Sequence, residues 1–274
     1  MKFVAGDVAV ITGGASGIGL AIARALGRRS VRIVIADIDR PVLEEATALL
    51  RSEGAEFVAA TADVTVADSL QSLHATAFEA FGRVDMLFNN AGVGGVLGPM
   101  WDMDPKDWRW SVGVNLEGVA NGIRAFVPGM IARRRGHVIN TASLAGLTSP
   151  PFLGPYVATK HAVVGMTETL AAEFAAMRLP LTASVLCPGL VASRILTSER
   201  NRPVELHAAS RTDPALLARL RAAFAAQAGE PMDSAEFASR VLSGVEADRL
   251  HIVTHDDSWP LVRLRVDALL GQPA

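Results

Sequence analysis

Short apolar runs rich in β-branched residues recur along the chain, separated by stretches with the spacing of an amphipathic helix. We predict strands at 7–12, 31–36, 56–60, 84–89, 137–141, 182–187 and 251–254. A helix with one buried face is predicted between the second and third strands, from the spacing of Val42, Ala46, Leu49 and Leu50. Strands that are apolar throughout are buried on both faces. The alternation predicts an α/β fold: a doubly wound, Rossmann-type parallel sheet of about seven strands with helices on both sides.

The alternation runs through all 274 residues without a linker rich in Gly, Ser or Pro, so we expect a single domain over 1–274. Half of the residues are hydrophobic, which is enough for a large core. The pattern breaks only at about 190–234, where Asp213-Pro214 is typical of a helix start and Gly229 of a helix end. Because open α/β sheets bind ligands beyond the carboxyl ends of their strands, we favour a substrate lid here over ordinary packing.

Composition excludes several classes of protein. The formal net charge of −2 gives no reason to expect nucleic acid as a partner. The single cysteine, Cys187, lies in an apolar run and is predicted to be a buried strand residue rather than a nucleophile. No disulfide framework is possible within the chain, which fits a reducing, cytoplasmic compartment. A signal peptide and a membrane span are not expected, because Asp7 interrupts the start and three prolines interrupt the longest uncharged stretch, 136–159. No metal site is expected.

A glycine-rich turn follows the first predicted strand and opens the first helix. It reads Gly13-Gly14-Ala15-Ser16-Gly17-Ile18-Gly19, a Gly-x3-Gly-x-Gly spacing. Glycines let backbone N–H groups approach a pyrophosphate, and the helix N-terminus adds partial positive charge. Asp37, just after the second strand, is placed to accept hydrogen bonds from both adenosine ribose hydroxyls and to repel a 2′-phosphate. This favours NAD over NADP, although Arg40 lies near enough to reverse the preference.

Tyr156 is the only tyrosine in the chain, and Lys160, one of only three lysines, follows it by four residues. In a helix starting near Pro155, this spacing puts both side chains on one face. A tyrosine needs a pKa about three units below its usual value of ~10 to transfer protons near neutral pH. An ammonium at ~5 Å and the positive charge of an oxidised nicotinamide together supply that stabilisation, and neither alone is sufficient.

These motifs occur in a specific order. The glycine turn is followed by Asn89-Asn90-Ala91-Gly92, Ser143, Tyr156-x-x-x-Lys160 and Pro188-Gly189. In this the chain resembles the short-chain dehydrogenase/reductase family, in its single-domain, NAD-preferring branch, over nearly its whole length. The resemblance implies a hydride transfer between a nicotinamide cofactor and an alcohol or ketone.

The resemblance also implies roles for individual residues. Ser143 and Tyr156 would bind the substrate oxygen, Lys160 would hold the phenolate, and Asn115 would hold a water that links the lysine to solvent. Asp63 would contact the adenine, and Ser193 stands where the family usually has threonine. The expected cofactor-binding residues are Gly13, Ser16, Gly17, Ile18, Gly19, Asp37, Ile38, Asp63, Val64, Asn90, Ala91, Gly92, Tyr156, Lys160, Pro188, Gly189, Val191 and Ser193.

Two other functions share part of this pattern. A nucleotide-sugar epimerase or dehydratase has the tyrosine and lysine, but its cradle resembles Gly-x-x-Gly-x-x-Gly and its C-terminal domain is larger. A redox sensor would bind NAD without turnover, and such proteins commonly lack the tyrosine or lysine. We expect an enzyme whose small-molecule substrate is an apolar secondary alcohol or ketone, cyclic or aromatic. The residues predicted to border the substrate pocket are Leu144, Phe152, Leu153, Leu190, Ile195 and Leu196, together with the loop 94–101. The resemblance also implies a homodimer or homotetramer, and Trp259, Leu261, Leu264 and Leu269 would suit its interface.

Overall fold

The computed structural model describes residues 2–227 and 229–271, and these form one parallel sheet with helices on both faces. The strands are β1 (Val8–Thr12), β2 (Arg32–Asp37), β3 (Phe57–Thr61), β4 (Met86–Asn89), β5 (Gly136–Thr141), β6 (Leu181–Cys187) and β7 (His251–Val253). Their order across the sheet is β3-β2-β1-β4-β5-β6-β7, and every pairing is parallel. The predicted fold class is therefore confirmed, and each predicted strand is present with ends that differ by one or two residues.

Helices cover the sheet on two sides. They are α1 (Gly17–Gly27), α2 (Arg40–Ser52), α3 (Ala67–Phe81), α4 (Pro105–Val112), α5 (Gly118–Arg133), α6 (Gly154–Ala176), α7 (Pro214–Gln227), α8 (Ser234–Glu246) and α9 (Trp259–Leu269). Buried side chains of α1, α2 and α8 pack on one face, and those of α3, α5 and α6 pack on the other. Alternate residues of β1 enter the two cores, Ile11 on one side and Val10 on the other. Burial on both faces is the reason why the strands are apolar throughout.

The chain order reverses beside β1. Strands β2 and β3 lie on one side of it, whereas β4 lies on the other. The connections after β1 and β4 therefore diverge, which leaves a crevice beyond the carboxyl ends of these two strands. The crevice is braced by Thr12, whose side-chain oxygen accepts hydrogen bonds from the backbone N–H of Asn90 (3.0 Å) and Ala91 (3.1 Å).

The segment 190–234 covers this edge of the sheet. It contains 3-10 turns at Ile195–Asn201 and Val204–Leu206, followed by α7, which is capped by Asp213 as predicted. The first part is anchored to α4, because the buried guanidinium of Arg202 pairs with Asp107 at 2.6 Å and lies 5.1 Å from the centroid of the Trp110 ring. Among the side chains of α7 that the structure describes, none belongs to the core, and Phe224 is 37% exposed.

Cys187 is fully buried in β6, as predicted. The sequence shows no cation beside it, but in the structure Lys160 lies close enough to interact with the thiol. Burial outweighs that attraction and raises the pKa of Cys187 to about 12. A thiol with this pKa is protonated at neutral pH and is a poor nucleophile. Within the described residues, no helix combines the length and the apolar character needed to cross a bilayer.

Candidate active site

A cavity of about 210 Å³ occupies the crevice beyond the carboxyl ends of the strands. Of the predicted site residues, Gly19 and Asn115 are absent from its wall. Those that line it are Gly13, Ser16, Gly17, Ile18, Asp37, Ile38, Asp63, Val64, Asn90, Ala91, Gly92, Ser143, Tyr156, Lys160, Pro188, Gly189, Val191 and Ser193. Residues from seven separate segments of sequence thus meet in one place, and this juxtaposition is what the motif order predicts.

The glycine turn forms the floor of the cavity under the N-terminus of α1. Gly13 and Gly17 both have positive φ, +61° and +51°. A Cβ at Gly13 would lie 2.9 Å from the Ala91 Cα, and a Cβ at Gly17 would lie 2.9 Å from the Ser193 Cβ. Side chains at these positions would therefore fill the cradle, so the turn has the shape that a pyrophosphate needs. Gly19 does not line the cavity but packs under the turn, where a Cβ would overlap the carbonyl oxygen of Gly13.

Asp37 ends β2 and lies on the wall of the cavity. Its carboxylate accepts hydrogen bonds from the backbone N–H of Ala15 (3.3 Å) and Asp39 (3.1 Å), which fix its orientation. Burial raises the pKa of Asp37, and these two hydrogen bonds oppose the rise. A carboxylate held in this way beside the glycine turn can accept hydrogen bonds from a ribose.

The neighbouring turns are held by local hydrogen bonds. The Asp63 carboxylate accepts from both the backbone N–H (2.9 Å) and the hydroxyl (2.7 Å) of Thr65, so the side chain shapes its own turn at the edge of the cavity. The Asn90 amide donates to the carbonyls of Thr12 (3.0 Å) and Gly13 (3.2 Å) and so ties the β4 turn to the glycine turn. Val191, on the cavity wall, pairs with Met232 as an isolated parallel bridge.

The other end of the cavity holds Ser143, Tyr156 and Lys160. Tyr156 and Lys160 share one face of α6, and the lysine Nζ lies 5.6 Å from the centroid of the tyrosine ring. Lys160 is 3% exposed, and its ammonium donates to the Thr141 carbonyl at 2.8 Å. Ser143 follows β5 and forms a side-chain hydrogen bond with Tyr156. The i, i+4 geometry predicted from the sequence is therefore present in the structure.

Burial is the largest influence on the pKa values of Tyr156 and Lys160. It raises the pKa of Tyr156, and the hydrogen bond with Ser143 opposes the rise. It lowers the pKa of Lys160 to about 8. In the cofactor-free protein the phenol is therefore protonated at neutral pH while the lysine is mostly charged. The pKa of Tyr156 is raised overall although Lys160 lies beside it, and the joint action of the lysine and the cofactor stays a prediction.

Asn115 lies behind the cavity wall in a π-helical turn, Gly113–Glu117, between α4 and α5. Its amide is fully buried and pairs with the backbone of Val93 in both directions, accepting at 2.8 Å and donating at 3.0 Å. It also donates to the Thr159 hydroxyl at 3.3 Å. A Cβ placed on Gly92 would lie 3.3 Å from the Asn115 Oδ1 and 3.5 Å from the Lys160 Nζ. Asn115 and Lys160 therefore flank the same glycine.

The sequence motifs miss several residues at the site, among them Trp110, Arg200 and His255. Trp110 is buried in α4 and lines the cavity. Arg200 also lines it, donates to Asp39 Oδ2 at 3.3 Å, and so joins the 190–234 segment to the turn after β2. His255 follows β7 and hydrogen-bonds Gly189. No local pattern reveals these residues, because their partners are distant in the chain; Arg200 and Asp39 are 161 residues apart.

The predicted substrate wall is only partly correct. Leu190 and Ile195 line the cavity. Leu144, Phe152, Leu153 and Leu196 do not, and Leu196 is 67% exposed. The loop 94–101 is also absent from the lining. These side chains lie beside the correct turns in sequence but point elsewhere, whereas Val93 and Trp110 provide the additional apolar surface.

A dinucleotide-shaped crevice at the strand reversal, with an acid after β2 and a tyrosine–lysine pair opposite, defines a class: oxidoreductases that bind a nicotinamide cofactor on a Rossmann-type sheet. The family model for short chain dehydrogenase matches residues 7–203. The chain belongs to the short-chain dehydrogenase/reductase family.

Several known proteins are similar over most of their length. A short-chain dehydrogenase/reductase from Burkholderia phymatum, solved in complex with NAD, is 38% identical with a TM-score of 0.94 and covers 100% of this chain and 98% of its own. The CLA biosynthesis dehydrogenase/reductase of Lactiplantibacillus plantarum is 33% identical over 281 residues, 100% of this chain and 96% of the relative. A metagenomic short-chain oxidoreductase in complex with NADP is 36% identical with a TM-score of 0.63, covering 68% of this chain and 83% of its own.

Proposed function

We propose that this protein is an NAD-dependent dehydrogenase that interconverts a secondary alcohol and a ketone, with an apolar substrate that is cyclic or aromatic. The observation that carries the proposal is the grouping of Tyr156, Ser143 and Lys160 at one end of a cavity whose other end holds Asp37. Proton-transfer groups and a ribose acceptor are thereby separated along a single crevice. Such an arrangement suits a dinucleotide whose reactive ring reaches the tyrosine.

The chain's own residues handle the proton. Ser143 and Tyr156 bind the substrate oxygen, and in the oxidation the Tyr156 phenolate removes the hydroxyl proton. Lys160 stabilises that phenolate by its charge, and Asn115 with water returns the proton to solvent. The nicotinamide cofactor, when bound, supplies the hydride acceptor for oxidation and the donor for reduction. Reduction of the ketone follows the same proton path in reverse.

The preference for NAD rests on Asp37. A carboxylate that binds the ribose hydroxyls would repel a 2′-phosphate. The Burkholderia relative was solved with NAD, whereas the metagenomic relative was solved with NADP, so the family uses both. Arg200 lines the cavity and is a candidate ligand for such a phosphate, but Asp39 already pairs with it. A higher kcat/KM with NADPH than with NADH would refute the preference.

The preference for an apolar substrate rests on the cavity wall. Val93, Trp110, Leu190 and Ile195 all line the cavity that contains Tyr156. The segment 190–234, which supplies two of these residues, would act as the substrate lid. A panel of cyclic, benzylic and short linear secondary alcohols tests both ideas, and we expect the bulkier apolar members to give the higher kcat/KM.

We also propose a cytoplasmic homo-oligomer, a dimer or tetramer, in which α9 lies at the interface. No residue of α9 is buried, and Trp259, Leu261, Leu264 and Leu269 are each about half exposed or more. Sedimentation of the wild type and of Leu264→Glu tests this, since a monomeric wild type would refute it.

The central experiment is NADH formation by the wild type and by Tyr156→Phe. Tyr156→Phe removes the proton acceptor and preserves the shape of the ring, so turnover should be abolished while the Kd for NAD changes little. The Kd for NAD is the control for folding. Loss of NAD binding together with turnover would show that Tyr156 supports the structure instead.

A further inference from the structure

His255 follows β7 and packs against the turn after β6 with both of its ring nitrogens engaged. The backbone N–H of Gly189 donates to Nδ1 at 3.1 Å, and Nε2 lies 3.1 Å from the carbonyl oxygen of Leu190. A carbonyl can only accept, so Nε2 carries the hydrogen and Nδ1 is left free to accept. The ring also lies flush on the turn, because a Cβ at Gly189 would be 2.9 Å from the His255 Cδ2. Glycine is therefore required at position 189 by the imidazole.

The turn held by His255 forms part of the active-site wall. Pro188, Gly189 and Leu190 all line the cavity. The Pro188 carbonyl accepts from the backbone N–H of Leu144 at 2.8 Å and lies 3.5 Å from the Ser143 Oγ. A shift of this turn would consequently change the tyrosine end of the cavity and leave the glycine cradle at the other end in place.

We propose that His255 is a positioning residue that fixes the Pro188–Gly189 turn for the nicotinamide half of the cofactor. The inference rests on the proposed function, because it assumes that the nicotinamide binds at the tyrosine end. His255 touches neither the substrate nor the reacting atoms in this role. It acts through the backbone of Gly189 and Leu190.

Two substitutions test whether the ring holds the turn. His255→Asn places an amide oxygen near the position of Nδ1, so it can accept from Gly189. His255→Ala removes both hydrogen bonds. His251→Gln is the matched control, because His251 begins β7, shortly before His255 in the chain, but pairs with Glu168 through an exposed contact at 2.8 Å.

The test compares two ligands of the cradle, NADH and ADP-ribose, which lacks the nicotinamide. Dissociation constants would be measured for each variant at one pH near neutrality. His255→Ala should weaken NADH binding about fivefold, the scale of one hydrogen bond, and leave ADP-ribose within about twofold. His255→Asn should restore the affinity for NADH.

Several outcomes would overturn the inference. Equal weakening of NADH and ADP-ribose in His255→Ala would mean that the ring supports the fold generally. An unchanged affinity for NADH in His255→Ala would mean that the turn does not need the ring. A His255→Asn variant that binds NADH as weakly as His255→Ala would mean that acceptance from Gly189 is not what holds the turn. A wild type that binds neither nucleotide would instead refute the proposed function, and the inference with it.

Discussion

Replacing Lys160 by methionine should slow catalysis by an amount that the geometry sets. The ammonium lies 5.6 Å from the centroid of the Tyr156 ring. With an effective dielectric constant of about 20, a unit charge at that distance stabilises a phenolate by about 3 kcal/mol. This corresponds to about two pKa units, so kcat at about pH 7 should fall about 100-fold, while the shape of the buried side chain is nearly preserved.

The pH dependence of that loss makes the prediction specific. Burial lowers the pKa of Lys160 to about 8, so the ammonium is charged below this value and loses its charge as the pH rises through it. The ratio of wild-type to Lys160→Met activity should therefore be largest near pH 7 and should shrink above about pH 8.

The assay is kcat with saturating NAD and alcohol from about pH 6 to 10. Lys106→Met is the control, since it removes an exposed lysine whose Nζ donates to the His207 carbonyl. A Lys160→Met enzyme within about threefold of the wild type at pH 7, or a ratio that does not change with pH, would refute the electrostatic argument.

Three further predictions concern the cradle, the cofactor and the core. Gly17→Ala should weaken NADH binding at least about tenfold in a titration, because φ is +51° and the new Cβ would lie 2.9 Å from the Ser193 Cβ. Gly165→Ala is the control and should leave binding unchanged, because the space around Gly165 is open. Asp37→Ser should raise kcat/KM for NADPH relative to NADH, and an unchanged ratio would exclude Asp37 as the selector. Burial lowers the pKa of His137 to about 4, so the unfolded chain takes up a proton first as the pH falls. Urea unfolding should therefore show a loss of up to about 3 kcal/mol between about pH 6.5 and 4, and less in His137→Gln, which keeps a donor for Ser184.

The fold was predictable from the sequence because its signals are local. Each strand is an apolar run of at most seven residues, and the strand–helix alternation limits the topology to a parallel sheet. The spacing between Tyr156 and Lys160 was equally local, since one helix fixes their relative positions. These features required no knowledge of how distant segments meet.

The residues that the sequence did not reveal take their roles from contacts between distant segments of the chain. His255 reaches Gly189 across 66 positions, and Arg202 reaches Asp107 across 95. The substrate wall shows that residues adjacent in sequence can also differ in whether they line the cavity. Leu196 follows Ile195 directly, yet only Ile195 faces the cavity, because the 3-10 turn directs consecutive side chains apart. Which member of a pair points inward is decided by tertiary packing.

The π turn at Gly113–Glu117 makes the site depend on the number of residues in a helix as well as on their identity. Such a turn contains one residue more than a regular α-helical turn, and here it joins α4 and α5 into one rod from Pro105 to Arg133. Deleting one residue would regularise the helix and rotate its two halves against each other by about 100°. Trp110 in α4 and Asn115 in the π turn could then no longer both keep their present contacts. Insertions and deletions, which surface loops tolerate readily, would therefore be selected against in the turn Gly113–Glu117.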